Sequence, residues 1–408
     1  MLSTVKNLFG EFMNAMIKKL LQGQAVEWQT LGEVLVRTKG TKITAGKMKE
    51  LHKSNAPIKI FAGGKTFALV DFDDIPQKDI NHKPSIIVKS RGIIEFEYYD
   101  KPFSHKNEMW AYHSQNPNIN IKFIYYFLKQ NEPYFQKIGS KMQMPQIATP
   151  DTDKFKIPIP PLSVQSQIVQ ILDTFTELND QLTAELSMRQ KQYQYYRDLL
   201  LSEHELAKVG FEWKTLGEVV LPTNNIKWDE SDLSYRYIDL SSVDKDNNNI
   251  GETLEITSKN APSRAQKIVK KDDVIFATTR PTQMRSALIP PNLDGQIAST
   301  GYCILRANQN EVLPKWIYYN LQIDEFKIYL QGKQSGTAYP AISDGLIKQF
   351  KIPIPPLSVQ SEIVAILDTF DTLVNSICEG LPKEIQLRQK QYEYYRERLL
   401  TFDAGDGV

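Results

Sequence analysis

The chain has 408 residues, enough for two or three domains, and its hydrophobic (41%) and charged (24%) fractions are those of a soluble globular protein. Its formal net charge is +1, from 49 Lys and Arg against 48 Asp and Glu, so it is not a uniformly basic phosphate binder. Any affinity for phosphates must come from local basic surfaces or from a partner. The two cysteines, Cys303 and Cys378, give neither metal-ligand spacing nor a disulfide framework.

The first predicted element is an amphipathic helix over residues 1–22. Lys6, Lys18 and other polar residues interrupt its apolar positions, so it is neither a secretory signal nor a membrane span, and we expect a cytoplasmic protein. Its apolar stripe must be buried against another element. We expect it to pack with the conserved helical regions described below, near Tyr395, Leu399 and Phe402, so that the N- and C-terminal helical segments touch.

A first variable block occupies residues 23–155. Ile58–Phe61, Phe67–Val70 and Ser85–Val88 predict short strands, and Lys122–Tyr126 predicts a helix. Residues 27–155 carry 19 Lys and Arg against 14 Asp and Glu, a net charge of +5. Basic side chains gather where the predicted strands end, and loop tips hold most binding residues. The candidate DNA-binding residues of this block are Lys89, Arg91, Lys101, His105 and Lys106.

A Pro-rich turn and a long helix follow over residues 156–206. Pro158, Pro160 and Pro161 hold the chain extended, and Ser163 is the predicted N-cap. Apolar residues then recur at alternating spacings of four and three, which is typical of a heptad seam. They are Val164, Ile168, Ile171, Phe175, Leu178 and Leu182, followed by Tyr193, Tyr196 and Leu200. A helix of about 38 residues would span roughly 57 Å.

The second variable block occupies residues 207–350. It contains a predicted strand from Asp273 that runs into a turn at Pro281, a second strand over Thr300–Leu305, and a helix at Lys315–Tyr319. Arg and Gln side chains suit guanine and adenine edges in the major groove, whereas Lys suits phosphates. The candidate DNA-binding residues of this block are Thr278, Thr279, Arg280, Gln283 and Arg285. Residues 212–350 carry 16 basic against 17 acidic residues, a net charge of −1.

Residues 351–402 repeat the earlier Pro-rich turn and helix. Lys156–Phe175 returns at Lys351–Phe370 with 18 of 20 positions identical, and Arg189–Leu200 matches Arg388–Leu399. Four extra residues in the second copy, around Gly380-Leu381-Pro382, predict a helix break. Glu27–Val34 also matches Glu212–Val219, and Lys122–Tyr126 matches Lys315–Tyr319, whereas the rest of the two variable blocks diverges. The same role therefore falls on the two near-identical regions, and residues 403–408 form a tail.

This repeat predicts pseudo-two-fold symmetry. Two long helices that cannot bury their seams alone should pack as an antiparallel coiled coil, with a variable block at each end. We expect the tyrosines of the seam to serve packing rather than nucleic-acid stacking. The residues proposed for the spacer helices and for partner contact are Ile168, Phe175, Tyr193, Tyr196, Ile363, Phe370, Tyr392 and Tyr395.

Motifs for catalysis are missing from the sequence. No Asn/Asp-Pro-Pro-Tyr/Phe motif of an amino-methyltransferase occurs, and Pro150-Asp151 lacks a correctly spaced acid-x-Lys downstream, as a nuclease metal site requires. The five histidines show no metal-ligand or triad spacing. Gly63-Gly64-Lys65-Thr66 lacks the upstream glycine of a phosphate-binding loop and precedes a predicted strand. We therefore expect a protein that is not an enzyme and has no metal or cofactor of its own.

The whole chain resembles the DNA specificity subunits of type I restriction-modification enzymes. The resemblance rests on Ile157–Leu162 before a long helix, its copy at Ile352–Leu357, and the Arg-Gln-Lys-Gln-Tyr-x-Tyr-Tyr-Arg segment near the end of each helix. It implies an α+β fold with two α/β target-recognition domains of mainly antiparallel sheets, separated by two long conserved helices. The implied function is recognition of a bipartite DNA site, with a gap set by the helical spacer.

The resemblance also implies partners for this chain. These are double-stranded DNA, two methyltransferase subunits that use S-adenosylmethionine, and restriction and translocation subunits that use ATP and Mg²⁺. Two other interpretations remain open at this point: a specificity subunit of a modification-only system, and a two-headed adaptor that binds proteins rather than DNA.

Overall fold

The computed structural model describes residues 21, 26–140, 144–245, 247–376 and 378–402. Internal contacts divide the chain into unit 1, Met1–Asp180 with Leu387–Val408, and unit 2, Gln181–Gln386. Each unit joins one variable block to parts of both conserved helical regions. The described residues do not include the predicted N-terminal helix, except for Leu21, which packs against the core of unit 1. They also do not include Ile377, an apolar position of the second heptad seam, or the 403–408 tail.

The strands of unit 1 are β1 (Glu27–Thr30), β2 (Val36–Arg37), β3 (Ile58–Phe61), β4 (Phe67–Val70), β5 (Ser85–Lys89), β6 (Glu95–Tyr99), β7 (Phe103–His105), β8 (Trp110–His113) and β9 (Lys156–Ile159). Within the described residues they form three small sheets, with the strand orders β2-β8-β5-β6, β4-β3-β7 and β1-β9. The short helices of unit 1 are α1 (Leu31–Val34), α2 (Ala45–Leu51), α3 (Ile121–Gln130), α4 (Glu132–Gly139) and α5 (Thr149–Asp153), with a 3-10 turn at Gln77–Asp79.

The first conserved helix, α6, runs without interruption from Leu162 to Leu200. It begins directly after the Pro-rich turn, and the Val164 N–H donates to the carbonyl of Pro161. Ser163 is therefore the second residue of the helix, and its prediction as the N-cap is wrong. The reason is that Pro161 itself occupies the cap position, since its carbonyl accepts from the N–H groups of Val164 and Gln165 and the helix starts at the next residue.

The strands of unit 2 are β10 (Glu212–Thr215), β11 (Val220–Leu221), β12 (Tyr235–Ile238), β13 (Leu254–Ile256), β14 (Ala265–Ile268), β15 (Val274–Ala277), β16 (Ser286–Leu288), β17 (Ile297–Ser299), β18 (Tyr302–Ala307) and β19 (Lys351–Ile354). The part of unit 2 that the structure describes also has three sheets, with the strand orders β11-β18-β15-β16, β13-β12-β17-β14 and β10-β19. Its helices are α7 (Glu203–Leu206), α8 (Leu216–Val219), α9 (Pro314–Asn320), α10 (Asp324–Lys333) and α11 (Asp344–Lys348), with 3-10 turns at Trp228–Glu230, Leu240–Ser242, Pro281–Gln283 and Pro291–Leu293.

The second conserved region forms two helices, α12 (Leu357–Asn375) and α13 (Gly380–Leu399). Gly380 has a φ of +73°, in the left-handed region that favours glycine, and a Cβ built there would clash with the Thr372 carbonyl oxygen. A helix break in the second copy is therefore present where the four extra residues predict it.

The sheets are mainly antiparallel, as predicted, with parallel pairing at β3–β7 and β12–β17. The four-stranded sheet that contains β5 and the one that contains β15 have the same strand order, although their sequences diverge. In both sheets the short edge strand follows a Leu-Gly-Glu-Val helix, and β8 and β18 lie between that edge and the next strand. The variable blocks are thus two versions of one scaffold.

Each unit contains the same aromatic contact between conserved helices. In unit 1 the ring of Phe175 stacks on that of Tyr395, with centroids 5.1 Å apart, and in unit 2 Tyr196 stacks on Phe370 at 5.7 Å. Phe175 corresponds to Phe370 in the repeat, and Tyr196 corresponds to Tyr395. In unit 1 Asn179 lies next to Gln389, so residue numbers rise along α6 as they fall along α13, and the two segments are antiparallel.

Candidate nucleic-acid interface

The ends of the central strands form a partly exposed surface in each unit, which we call a tip. The first tip consists of Ser90–Gly92 after β5, Lys106–Met109 before β8, and Met144–Ile147. The second tip consists of Thr278–Met284 after β15, Thr300–Gly301 before β18 with Arg264 beside it, and Tyr339–Ile342. Several of the residues predicted to contact DNA lie on these tips, and others do not.

Lys89 is the last residue of β5, but its ammonium group is occupied within the protein. It forms ion pairs with Glu97 at 2.9 Å and Glu95 at 3.3 Å, and its side chain is only 13% exposed. Burial opposes the charge, yet the two carboxylates outweigh this effect and raise the pKa of Lys89 above its ordinary value. Lys89 therefore stabilises the β5–β6 pair in this structure.

His105 is 1% exposed, which argues against the predicted DNA contact. Its Nε2 lies 2.8 Å from the Thr38 hydroxyl, and its Nδ1 lies 3.0 Å from the Lys106 carbonyl oxygen. Burial lowers the pKa of His105 below the ordinary value. His105 is packed inside the block because β7 lies between strand β3 and the loop at Gly40. A Cβ built on Gly40 would lie 2.5 Å from the His105 imidazole.

Lys101 and Lys106 are separated by the fold. Lys101 is exposed in the turn after β6, and β6 pairs with β5 so that Tyr99 faces Ser85 while Glu95 faces Lys89. Lys101 therefore lies at the end of the hairpin opposite Arg91. Lys106 belongs to the first tip, where it forms an ion pair with Glu108.

A backbone clamp holds the first tip together. The Gly92 N–H donates to the Pro145 carbonyl at 2.8 Å, and the Ile147 N–H donates to the Ser90 carbonyl at 3.0 Å. Arg91 lies between these bonds in an isolated bridge with Gln146, and its side chain is exposed. A cavity of about 310 Å³ opens beside Arg91 and is lined by Gly63, Gly64, Ser90, Gly92, Glu108, Met109 and Met144. The Gly63–Thr66 segment is the hairpin turn between β3 and β4.

The second tip has the same clamp. The Arg280 N–H donates to the Pro340 carbonyl at 2.7 Å, and the Ile342 N–H donates to the Thr278 carbonyl at 2.9 Å. Thr279 forms the isolated bridge, here with Ala341. Arg280 thus takes the place of Gly92, and both have positive φ angles, +51° and +75°. The clamp fixes the backbone in both units while the side chains that it presents differ.

The five candidates of the second block lie together, but their exposure differs. Arg280 and Gln283 are exposed, Thr279 is partly exposed, and Thr278 is buried, with its hydroxyl donating to the Gly301 carbonyl at 2.9 Å. The Arg285 guanidinium donates to the Leu240 carbonyl, so this side chain is engaged in a hydrogen bond within the protein. Arg280 and Gln283 are the candidates of this block that the fold presents fully to solvent.

Three further tip residues escaped the sequence reasoning. Tyr339 is 73% exposed, Met144 is 65% exposed, and Arg264 is exposed beside Thr300, whose N–H donates to the Arg264 carbonyl at 2.8 Å. The sequence contains a signal for Tyr339 and Met144. If the repeat that relates Lys156–Phe175 to Lys351–Phe370 is extended towards the N terminus without a gap, Met144-Pro145 pairs with Tyr339-Pro340. No local pattern marks Arg264, which reaches the tip through the pairing of β14 with β17.

The conserved helices hold each variable block through repeated side-chain contacts. In unit 1 Asp173 accepts hydrogen bonds from Lys122 at 2.8 Å and from the Tyr126 hydroxyl at 2.5 Å. In unit 2 Asp368 accepts the corresponding bonds from Lys315 at 2.6 Å and Tyr319 at 2.5 Å. These contacts join the shared helix of each variable block, α3 or α9, to the start of its conserved helix.

The eight residues proposed for the spacer and for partner contact are mostly engaged within the units. Ile168, Tyr193 and Ile363 are buried in the cores, and Tyr392 is partly buried against the core of unit 1. Phe175, Tyr196, Phe370 and Tyr395 form the two stacked pairs described above. The interpretation of the tyrosines as packing residues agrees with these positions, whereas contact with a partner subunit stays a prediction.

Chemistry other than binding has little support in the described residues. They contain no group of three or more His, Cys, Asp or Glu side chains placed to hold a metal ion. Burial raises the pKa of the Cys303 thiol to about 12, which disfavours the nucleophilic thiolate, and Cys378 is exposed. No described helix combines the length and the apolar character needed to cross a membrane.

Comparison with known proteins identifies the family. Residues 25–188 and 208–387 each match the model of the type I restriction modification DNA specificity domain. The chain is 34% identical to the type I restriction enzyme EcoR124I/EcoR124II specificity subunit of Escherichia coli, over 96% of this chain and 98% of that protein. It is 31% identical to the type I restriction enzyme EcoprrI specificity subunit of Escherichia coli, over 64% of this chain and 63% of that protein.

A solved structure shares the fold over nearly the whole length. The crystal structure of the type I restriction-modification system S subunit from M. genitalium superposes with a TM-score of 0.58 at 18% identity, and covers 94% of this chain and 98% of that one. The two matches to one domain model, one in each variable block and the helix after it, together with a relative of the same extent, show that this chain belongs to the type I restriction-modification DNA specificity family.

Proposed function

We propose that this chain reads a bipartite site in double-stranded DNA, with the first tip contacting one half and the second tip contacting the other. The observation that carries the proposal is the repeated clamp, which presents Arg91 and Gly92 in one unit and Thr279 and Arg280 in the other. A shared scaffold with different exposed side chains is what reading two different half-sites requires.

The exposed side chains of the tips support DNA as the ligand. Arg91, Arg280 and Gln283 are of the types that donate to guanine and adenine edges in the major groove. Residues 212–350 have a net charge of −1, so nonspecific attraction to phosphates by this block is weak. Contacts to bases at the second tip therefore depend on a complex in which other subunits supply much of the phosphate binding.

Catalysis belongs to the partners in this proposal. Two methyltransferase subunits dock on the conserved helical regions and transfer methyl groups from S-adenosylmethionine to adenines, and restriction subunits use ATP and Mg²⁺ to translocate and cut DNA. This chain supplies recognition and the spacing of the half-sites. We place the assembly in the cytoplasm with the DNA that it reads.

An exchange of variable blocks tests the proposal. Residues 212–350 are replaced by the corresponding block of a relative, the chimaera is co-expressed with the methyltransferase subunit, and the methylated motif is determined by sequencing genomic DNA. We expect one half of the motif to change while the other half and the gap remain. A change in both halves would contradict the modular proposal, and a motif that is indifferent to the exchange would favour a protein adaptor.

A further inference from the structure

The second tip contains a strained backbone turn. Arg280 and Met284, at φ angles of +51° and +55°, flank the 3-10 turn Pro281–Gln283. Non-glycine residues in this region are uncommon and persist only where the surrounding structure imposes the conformation. Here the clamp imposes it, because the Arg280 N–H is bonded to the Pro340 carbonyl at 2.7 Å. The first tip has glycine at the equivalent position, so the fold itself does not require arginine there.

The clamp also fixes where the Arg280 side chain begins and what it meets. Its guanidinium lies over the ring of Tyr339, with the Arg280 Cζ atom 5.2 Å from the ring centroid. Tyr339 immediately precedes Pro340, the residue that accepts the Arg280 backbone bond. The ring is 73% exposed, and no ion pair of Arg280 is found within the part of the chain that the structure describes.

An aromatic face restricts the orientation of a guanidinium plane that lies over it, while the N–H groups that point away from the ring stay free to donate hydrogen bonds. A planar fork of donors matches O6 and N7 of guanine, and a side chain ordered before binding loses less rotamer entropy on contact. The first tip, with Gly92 and Met144, carries neither member of this pair.

We propose that Arg280 reads a guanine in the half-site of unit 2 and that Tyr339 is a positioning residue that holds the guanidinium in the plane for that contact. This inference rests on the proposed function and names the residue pair that determines specificity at one base position. Tyr339 itself makes no base-specific hydrogen bond in this account, and its effect on specificity passes through Arg280.

The test uses the complex with the methyltransferase subunit and a panel of DNA duplexes in which each base pair of the motif is replaced in turn. Arg280→Gly should reduce discrimination at one G·C position on the order of 10- to 100-fold, because one bidentate contact is lost. The variant should melt at the same temperature as the wild type or higher, since glycine adopts a positive φ angle without strain. A residue with only a structural role would show the opposite pattern.

Variants of Tyr339 separate positioning from direct contact. Tyr339→Ala should weaken discrimination at the same base position as Arg280→Gly and at no other, whereas Tyr339→Phe should retain it because the ring face is kept. The double variant should be no worse than Arg280→Gly alone. Leu254→Ala and Arg236→Ala are matched controls, since both residues are exposed in unit 2 on β-strands outside the tip, and they should leave the motif unchanged.

The inference is overturned if Tyr339→Ala leaves discrimination unchanged, affects a different position, or adds to the effect of Arg280→Gly. An unaltered motif in Arg280→Gly overturns it as well. Failure of the proposed function is distinguishable, because in that case exchange of residues 212–350 would leave the motif as it was.

Discussion

A buried glutamine in each conserved helix ties the variable block to the Pro-rich turn, and its replacement should be costly. Gln360 is 0% exposed, and its Nε2 donates to the carbonyls of Glu311 and Pro355, both at 2.9 Å. Its Oε1 accepts from the Leu313 N–H at 2.9 Å, at the start of α9. One side chain thus satisfies three backbone groups from two separate segments.

The corresponding glutamine of unit 1 makes the same three kinds of bond. Gln165 is also 0% exposed, and its Nε2 donates to the carbonyls of Asn118 at 3.1 Å and Pro160 at 2.7 Å. Its Oε1 accepts from the Asn120 N–H at 2.8 Å, at the start of α3. The repetition gives a second, independent position at which the same argument applies.

Gln360→Met keeps the length of the side chain and removes its amide. Each buried backbone group left without a partner costs about 1–3 kcal/mol, so the loss of three partners should lower the free energy of unfolding by roughly 3–9 kcal/mol. For a unit of this size, at about 2–4 °C per kcal/mol, the melting temperature should fall by at least about 6 °C. Gln165→Met should lower it by a similar amount.

Differential scanning calorimetry of the purified chain measures both effects. The control is Gln167→Met, because Gln167 is exposed two residues after Gln165 on α6 and is replaced by Glu362 in the second copy. If either buried variant melts within about 2 °C of this control, the hydrogen-bond argument is refuted, since even one unsatisfied group should exceed that shift.

Three other predictions concern stability and topology. Burial lowers the pKa of His105, so the unfolded chain binds a proton at this residue at higher pH than the folded chain does. The free energy of unfolding should therefore fall as the pH drops below about 6.5. Urea titrations of His105→Gln should show a smaller fall than those of the wild type. If the free energy of unfolding of the variant falls with pH as steeply as that of the wild type, His105 is excluded as a source of the pH dependence. Arg306→Met should lower the free energy of unfolding, measured in urea, by about 3–5 kcal/mol. The reason is that the buried carboxylate of Asp273, which is 1% exposed, loses its hydrogen bonds of 2.8 and 2.7 Å from the guanidinium. Adding Asp273→Leu should restore much of the lost stability. No recovery in the double variant would count against the buried pair. A circular permutant that joins the termini and opens at the exposed residues 208–209 should direct the methyltransferase subunit to the same motif, because Leu21 packs in the same core as Leu399 and Phe402. A permutant that folds but directs no methylation would count against contact between the terminal segments.

The helical part of the fold could be predicted from the sequence because its determinants are local. Apolar spacing along Val164–Leu200 reports a continuous helix, and the insertion around Gly380 reports a break, without knowledge of any distant residue. The first tip could be predicted only in part. Whether Lys89 is free depends on the register of β5 against β6, which places Glu97 and Glu95 around it, and no local pattern specifies that register.

The second tip shows the same limit. Arg280 was a candidate because of its residue type and its place after a strand, yet its partner Tyr339 lies 59 positions further along and is brought close by backbone bonds between loops. His105 illustrates the converse error, since a histidine at a strand end was expected on the surface and the packing of β7 buries it. Strand ends can be located from sequence, whereas the side of the sheet that another loop covers depends on tertiary contacts.

The most direct test of the central claim compares the methylated motifs of two single variants, one in each tip. Arg91→Ala and Arg280→Gly are each expressed with the methyltransferase subunit in cells that lack the wild-type chain, and genomic DNA is sequenced for methylated adenines. The account predicts that each variant relaxes one base position, that the two positions fall in different halves of the motif, and that the gap between the halves stays the same. Relaxation of the same half by both variants, or a motif that neither variant changes, would contradict it.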